Sequence, residues 1–339
     1  MPERGRPLEG LGFLTIGLFD RDDPRSGHET TLELIELGEQ LGFDSAWLRH
    51  RHLQYGISSP VAVMAAASQR TSRIRLGTAV TPIGAENPFR LAEDLATVDV
   101  LTGGRLTPGF SSGPPMRFDD YKEAIYPDTW QVEDLGYDRL LRLRSFLRGD
   151  EVSPFSGRQG IEEYSSRVEP HAPGLADRLW YGAGSTRSAT WAGEHGFGLL
   201  TSSVVSSEHG TDFATNQAAQ IRAYRDAHPD PARARVSQGL VVIPTDSATA
   251  SQVERYRAYA ESRNARVGVP QGPRGMLFAA DIVGSSAEIA ERLQSHEGYL
   301  LTDEVAFALP FSFDRDDYVQ LLNDIAGVLG PLLGWRPAA

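Results

Sequence analysis

The chain has 339 residues, 40% of them apolar and 23% charged, the composition of an ordinary globular protein. A formal charge of −12 with no long basic run argues against a nucleic-acid or anionic-membrane surface. The absence of cysteine excludes disulfides, thiolate catalysis and cysteine-ligated zinc or iron–sulfur centres.

The N-terminal stretch carries arginines, but Glu9 and several glycines interrupt its apolar run and no A-x-A-like cleavage site follows, so no signal peptide is read. No run of eighteen apolar residues marks a membrane span. A cytoplasmic location is expected.

Strand-like and helix-like segments then alternate. Phe13–Phe19 reads as a first buried strand, and residues 28–42 follow as a helix with Leu34, Leu37 and Leu41 on one face. Ser45–Leu48 is a second strand, followed by a helix from Pro60 to Thr71. Arg75–Thr81 is a third strand, after which Asn87 and Pro88 form a cap and first-turn pair that opens a helix. Arg105–Gly113 reads as strand four, with a helix near Tyr137–Leu147. Gly149 to Asp177 reads as a long surface excursion with room for a hairpin. Leu179–Gly182 is strand five, Leu199–Ser202 strand six, and a helix spans Phe213–Ala227. Val236–Ile243 is strand seven, with a polar helix at Ala248–Ser262. Ser285 and Glu288 make a capping box for another helix. Glu304–Pro310 is strand eight, and Asp316–Leu333 a final helix.

Eight strand–helix units in a chain longer than the ~250 residues typical of the fold predict a single (β/α)8 TIM barrel over residues 1–339. Insertions are expected near 114–135, 150–178, 203–212 and 263–283. A doubly wound open sheet is the competing topology, but eight regularly spaced units favour closure.

Residues after each strand converge at the C-terminal face, where barrel active sites lie. They are Phe19-Asp20, His50-Arg51-His52, Val80-Thr81, Ser111-Ser112-Gly113, Gly182–Ser188, Ser202-Ser203, Ile243-Pro244 and Pro310-Phe311. Such a lining suits a broad apolar ligand with a phosphate tail better than a hydrolytic metal centre. Gly182-Ala183-Gly184 followed by Ser185, Thr186 and Ser188 at a helix start offers close backbone approach, free N–H groups and hydroxyls for a phosphate. Its spacing is neither GxGxxG nor GxxxxGK[ST], and an ordinary glycine turn with a Ser cap fits equally well.

His50 and His52 stand at i, i+2 on one face of an extended segment, positions suited to general acid–base work. The plainer alternative is a pair of structural histidines, with Arg51 pairing an acid. No metal is expected, since only Asp20 would complete a ligand set. His28, His171, His195, His209, His228 and His296 read as solvated or capping, and Ser185 and Ser188 have no base to make them nucleophiles. Asn87 reads as a helix cap next to Glu86. Tyr121, Tyr126 and Trp130 fit either a lid or a subunit interface.

Four segments together resemble the bacterial luciferase-like flavin-dependent monooxygenases: DSAWLRHRH (Asp44–His52), LGTAVTPIGAENPFRLAEDLATVDVLTGGRL (Leu76–Leu106), the glycine–serine stretch at 182–188, and VGSSAEIAERL (Val283–Leu293). The resemblance covers nearly the whole chain. It implies reduced flavin, usually FMN, at the C-terminal face of the barrel, and a homodimer packed through early helices. It also implies a cis non-prolyl peptide at Ala79–Val80 beneath the isoalloxazine, with Ser111, Ser112 and Gly113 among the cofactor contacts. The phosphate site carries over to Gly184, Ser185 and Ser188. Two positions depart from the family pattern. A Glu-His-His sequence is replaced by His50-Arg51-His52, and a phosphate-holding arginine by Ser112, whose charge Arg187 supplies.

The expected activity is a monooxygenase reaction on a small organic substrate with O2 and FMN, the latter reduced by a flavin reductase in trans. His52 or His50 acts as proton donor, and Arg51 holds an anionic substrate or the flavin edge. Hydride transfer with F420 and a non-catalytic flavin-binding role are the alternatives.

Overall fold

The structure, a computed structural model, describes residues 6–337. Eight parallel strands close into one ring in sequence order: β1 (Gly10–Thr15), β2 (Ser45–Leu48), β3 (Arg75–Pro82), β4 (Leu106–Ser111), β5 (Trp180–Gly182), β6 (Gly198–Ser202), β7 (Val236–Gly239) and β8 (Glu304–Ala308). Register Gly10↔Glu304 to Leu14↔Ala308 seals the last strand against the first. Closure excludes the doubly wound alternative.

Around the ring lie α1 (Pro24–Gln40), α2 (Pro60–Ser68), α3 (Pro88–Thr102), α4 (Tyr137–Arg148), α5 (Thr186–Glu194), α6 (Phe213–Ala227), α7 (Ala250–Arg263), α8 (Ser286–Gln294) and α9 (Arg315–Asp324). Local chemistry sets their starts. The Asn87 side chain accepts from the Phe89 and Arg90 N–H groups, with Pro88 in the first turn, and Ser285 and Glu288 form the reciprocal box at α8. Without Asn87 the first turn of α3 would lose two bonded donors.

Several boundaries differ from the sequence reading. β1 ends at Thr15, because the Thr15 hydroxyl accepts from the Gly17 N–H at 3.2 Å and Gly17 turns the chain at φ +59. Ile16 to Phe19 stay apolar because they pack beneath the loop at Tyr55–Ile57, not because they are strand. β7 ends at Gly239; Val242–Pro244 leaves the ring and pairs in parallel with Ile282–Gly284. The final helix stops at Asp324 and continues as a π-turn over Ile325–Leu329. The 150–178 excursion carries a hairpin, Gly157–Gln159 with Glu162–Tyr164. Two other insertions pair with each other, Val204–Ser206 against Met276–Phe278.

The ring interior is filled by Trp47 and Trp180, which meet edge to face at 5.7 Å and 89°. Each indole N–H is satisfied, Trp47 by Ser45 Oγ at 2.9 Å and Trp180 by Thr107 Oγ1 at 2.6 Å. Glycine is required where these rings press on facing strands. A Cβ on Gly77 would lie 2.6 Å from Trp47, and one on Gly198 2.5 Å from Trp180. Below, Arg75 and Glu304 pair at 3.0 Å across the floor. Above, Leu14, Ala79 and Val80 rest on the tryptophans but are only partly buried, so the C-terminal end of the ring is left as an open funnel.

Filling that interior further should be costly. Gly77→Ala and Gly198→Ala are each expected to lower unfolding free energy by about 1–3 kcal/mol. Gly327→Ala, where an added Cβ meets nothing, should stay within about 0.5 kcal/mol of the parent. Urea denaturation of the three variants checks this.

Candidate active site

The Arg49 N–H bonds the Thr15 carbonyl at 3.1 Å, extending the β1–β2 ladder one residue beyond Leu48. Alternation then puts Arg49 on the same inner side as Trp47 and sends His50 to the other. His50 is buried, at 2% exposure, with Nδ1 3.9 Å from a Glu86 carboxylate oxygen. The His50 and His52 rings lie 4.7 Å apart, and Tyr121 packs 4.9 Å from His52. Tyr121 comes from the 114–135 insertion, which therefore covers this cluster.

Six buried polar atoms here have no hydrogen-bond partner: Arg49 Nη1, His50 Nδ1 and Nε2, Arg51 Nε, His52 Nε2 and the Tyr121 hydroxyl. Native interiors leave few such atoms unpaired, so the cluster is chemically incomplete. Burial, reinforced by His52 and Arg51, pushes His50 down to about 3. Burial and then Arg51 lower His52, and burial followed by Asp94 raises Glu86. Burial and the neighbouring Arg51 lower Arg49 to about 10, which still leaves it protonated at neutral pH. At pH 7 the cluster holds two neutral imidazoles and two cations.

Glu86 and Arg49 were missed in the sequence. Glu86 sits after the short helical turn Ile83–Ala85, and only the fold brings it to His50. His50, His52 and Glu86 have ligating atoms within 4.8 Å of one another, looser than the roughly 3.3 Å edges of a shell built on 2.0–2.1 Å metal–nitrogen bonds. Asp20, considered in the sequence as a third ligand, is exposed and accepts from the Asp22 N–H. Of the remaining histidines, His296 caps a helical turn and His228 accepts the Asp230 N–H.

Across the funnel, the Ala79–Val80 peptide is cis, and the β3–β4 register shifts between Thr78 and Thr81. Ser111 ends β4, Ser112 Oγ lies 2.7 Å from the Tyr181 hydroxyl, and Gly113, at φ +88, donates to the Leu135 carbonyl. Ser185 caps α5 in a box with Ser188: each side chain accepts the other's N–H, at 3.2 and 3.1 Å. An added Cβ on Gly184 would meet only Met276, at 3.6 Å, so backbone approach there is open. The Thr186 N–H and hydroxyl both donate to Glu208, at 2.7 and 2.6 Å. An acid side chain thus already occupies this positive helix end. Arg187 is exposed and has no acid partner among the described residues. Ile243 and Pro244 were expected at the rim, but they lie in the ladder outside the ring.

A family model described as luciferase-like monooxygenase matches residues 11–303. The chain belongs to that family. Its similar proteins include named monooxygenases and oxidoreductases. Over 171 residues it is 34% identical to limonene 1,2-monooxygenase of Rhodococcus erythropolis, a match covering 45% of this chain and 42% of that protein. The chain spans less than half the length of that curated relative. The solved structure of apo-MsnO8 superposes with a TM-score of 0.72 at 20% identity, over 97% of this chain and 99% of the other. The oxygenating constituent of 3,6-diketocamphane monooxygenase from Pseudomonas putida, in complex with FMN, gives 0.66 at 14% identity over 96% and 99%. At these identities the two structures show the fold alone. F420-dependent oxidoreductases are also among the similar proteins.

The neutral His50 has a measurable consequence. Folded, it stays unprotonated down to about pH 3, whereas the unfolded chain protonates it near 6.5. Between those values the unfolded state binds the extra proton. Stability is therefore full above pH 6.5 and falls as pH drops, by up to roughly 1.4 kcal/mol per unit. Urea denaturation at pH 7 and pH 5 should show an acid loss smaller by about 1–2 kcal/mol in His50→Gln than in the parent.

Proposed function

We propose that the chain is a flavin-dependent monooxygenase that uses reduced FMN and O2 on a small organic substrate. The observation that carries this reading is the open funnel over Leu14, Ala79 and Val80, flanked on one side by a helix start and on the other by an incomplete polar cluster. When bound, reduced FMN supplies the electrons with which one oxygen atom of O2 enters the substrate and the other leaves as water.

The residues present fit that group. Gly184 lets the backbone approach a phosphate, Ser185 and Ser188 add hydroxyls, and Arg187 adds charge. The exposed Glu208 would have to leave Thr186 for a phosphate to be held there. Ala79 and Val80 would support the ring system, and Ser111, Ser112 and Gly113 would hold its edge. His52, half-buried, moves a proton at Nε2. His50, neutral, donates or accepts a hydrogen bond there without carrying charge. Arg51 holds negative charge developing on the bound groups, and Tyr121 with its insertion excludes water.

The enzyme acts as a cytoplasmic homodimer packed through early helices, where Val100 and Leu101 of α3 are exposed. It takes reduced FMN from a reductase in trans, since no nicotinamide fingerprint is present. No helix among the described residues is long and apolar enough to cross a membrane.

Fluorescence titration with FMN and with F420 tests the reading. FMN should bind; Arg187→Ala and Ser188→Ala should weaken it about tenfold each, and Glu208→Gln should tighten it several-fold by removing a competing carboxylate. Uptake of F420 alone would assign hydride transfer instead. Tight FMN binding without turnover, unchanged in His50→Ala and His52→Ala, would mark a non-catalytic flavin binder.

A further inference from the structure

Alternation along the strands places eight residues in the uppermost inward layer of the ring: Leu14, Arg49, Ala79, Ser111, Gly182, Ser202, Gly239 and Ala308. Seven are apolar, small or hydroxylic. Arg49 alone is charged, and its neighbour along the chain in charge is Arg51.

Neither guanidinium has an acid partner or a hydrogen bond among the described residues, and each buries an unpartnered nitrogen, Arg49 Nη1 and Arg51 Nε. This is not for lack of acids, since the chain has 45 acidic side chains against 33 basic ones. Two other arginines at this end of the ring are matched. Arg263 pairs with Asp281 at 2.5 Å, and Arg139 with Glu133. The nearby carboxyl, Glu86, is turned to His50. Burying a cation without a counter-charge is costly, and a fold keeps such a cation where a ligand supplies the missing charge.

The surroundings describe the rest of that ligand. The Arg49 guanidinium lies 4.9 Å over the Phe311 ring, and Arg263 caps the same ring at 5.8 Å. On the other flank Tyr121 and Phe118 pack edge to face at 5.7 Å. An apolar body bearing one planar anion matches this lining. The phosphate end of the funnel is a separate locus, after β5.

We propose that the substrate is a small organic carboxylate, its carboxylate gripped by Arg49 and Arg51 and its apolar body set between Phe311 and Tyr121. The assignment rests on the flavin reading of the same funnel. Arg49 is then a specificity-determining residue, the planar fork of each guanidinium selecting a carboxylate over its amide.

FMN-loaded protein titrated calorimetrically with benzoate, cyclohexanecarboxylate and octanoate, each against its amide, tests it. At least one acid should bind about tenfold or more tightly than its amide. Arg49→Gln and Arg51→Gln should each abolish most of that preference, and Arg49→Lys should restore part of it. FMN affinity of Arg49→Gln should stay within about twofold of the parent. Since Arg49 has no acid or hydrogen-bonded partner to lose, only its contact with the Phe311 ring, Arg49→Gln should melt within about 4 °C of the parent, which separates lost binding from lost folding. Equal affinity for acids and amides, with FMN bound, overturns the carboxylate assignment alone. Failure of the parent protein to take FMN overturns the flavin reading and this assignment with it. Looser FMN in Arg51→Gln with acid binding untouched gives Arg51 to the cofactor and overturns the two-arginine grip.

Discussion

Two tryptophans meeting edge to face inside a closed ring of strands govern the rest of this molecule. Trp47 and Trp180 take up the middle of the barrel, so the strands facing them can carry only glycine at Gly77 and Gly198. That packing closes the interior to solvent from below and stops short of the C-terminal rim. Apart from Leu14 and Arg49 the rim residues are small, and the space above them is a consequence of how high the indoles reach. Function in this fold is placed by what the core leaves empty.

Electrostatics at the rim follow from the same burial. An imidazole held neutral by desolvation, a carboxyl pushed toward its protonated form and two guanidinium groups without acids do not make a self-sufficient network. A partly satisfied polar cluster is less stable than an apolar one of equal size. The fold tolerates it because the large core of β-strands and surrounding helices is otherwise well filled. The helix start at Ser185 differs in kind. Its donors are already capped by Ser188 and answered by Glu208, so a phosphate binding there would have to exchange one anion for another.

Much of this architecture was legible in the sequence wherever a local signal and the tertiary role agreed. β2 and α6 fall on their expected residues, and the caps at Asn87 and Ser285 do as they should, because capping chemistry is decided within one turn. The failures occur where an apolar run outlasts its strand. Ile16 to Phe19, half-buried toward their end, and the buried Val242 to Pro244 are covered for reasons other than ring membership, and periodicity cannot distinguish the two cases. His50, Arg51 and His52 were visible as a cluster at a strand end, but Glu86 was not, since its approach to His50 depends on how the β3–α3 loop folds back. Arg49 carried a usable signal, standing two residues after the inward Trp47. It was lost by ending the strand at Leu48. Glu208 carried none, because its meeting with Thr186 spans an insertion without pattern.

The proposed flavin site is the C-terminal funnel rather than the opposite mouth of the barrel. Hydrogen–deuterium exchange with and without FMN tests it most directly. Slowed exchange confined to residues 79–82, 111–113 and 183–188 is the result the account predicts. Protection gathered instead around Arg144, His228 and Arg235, which line a cleft of about 670 Å³ at the N-terminal end, would contradict it.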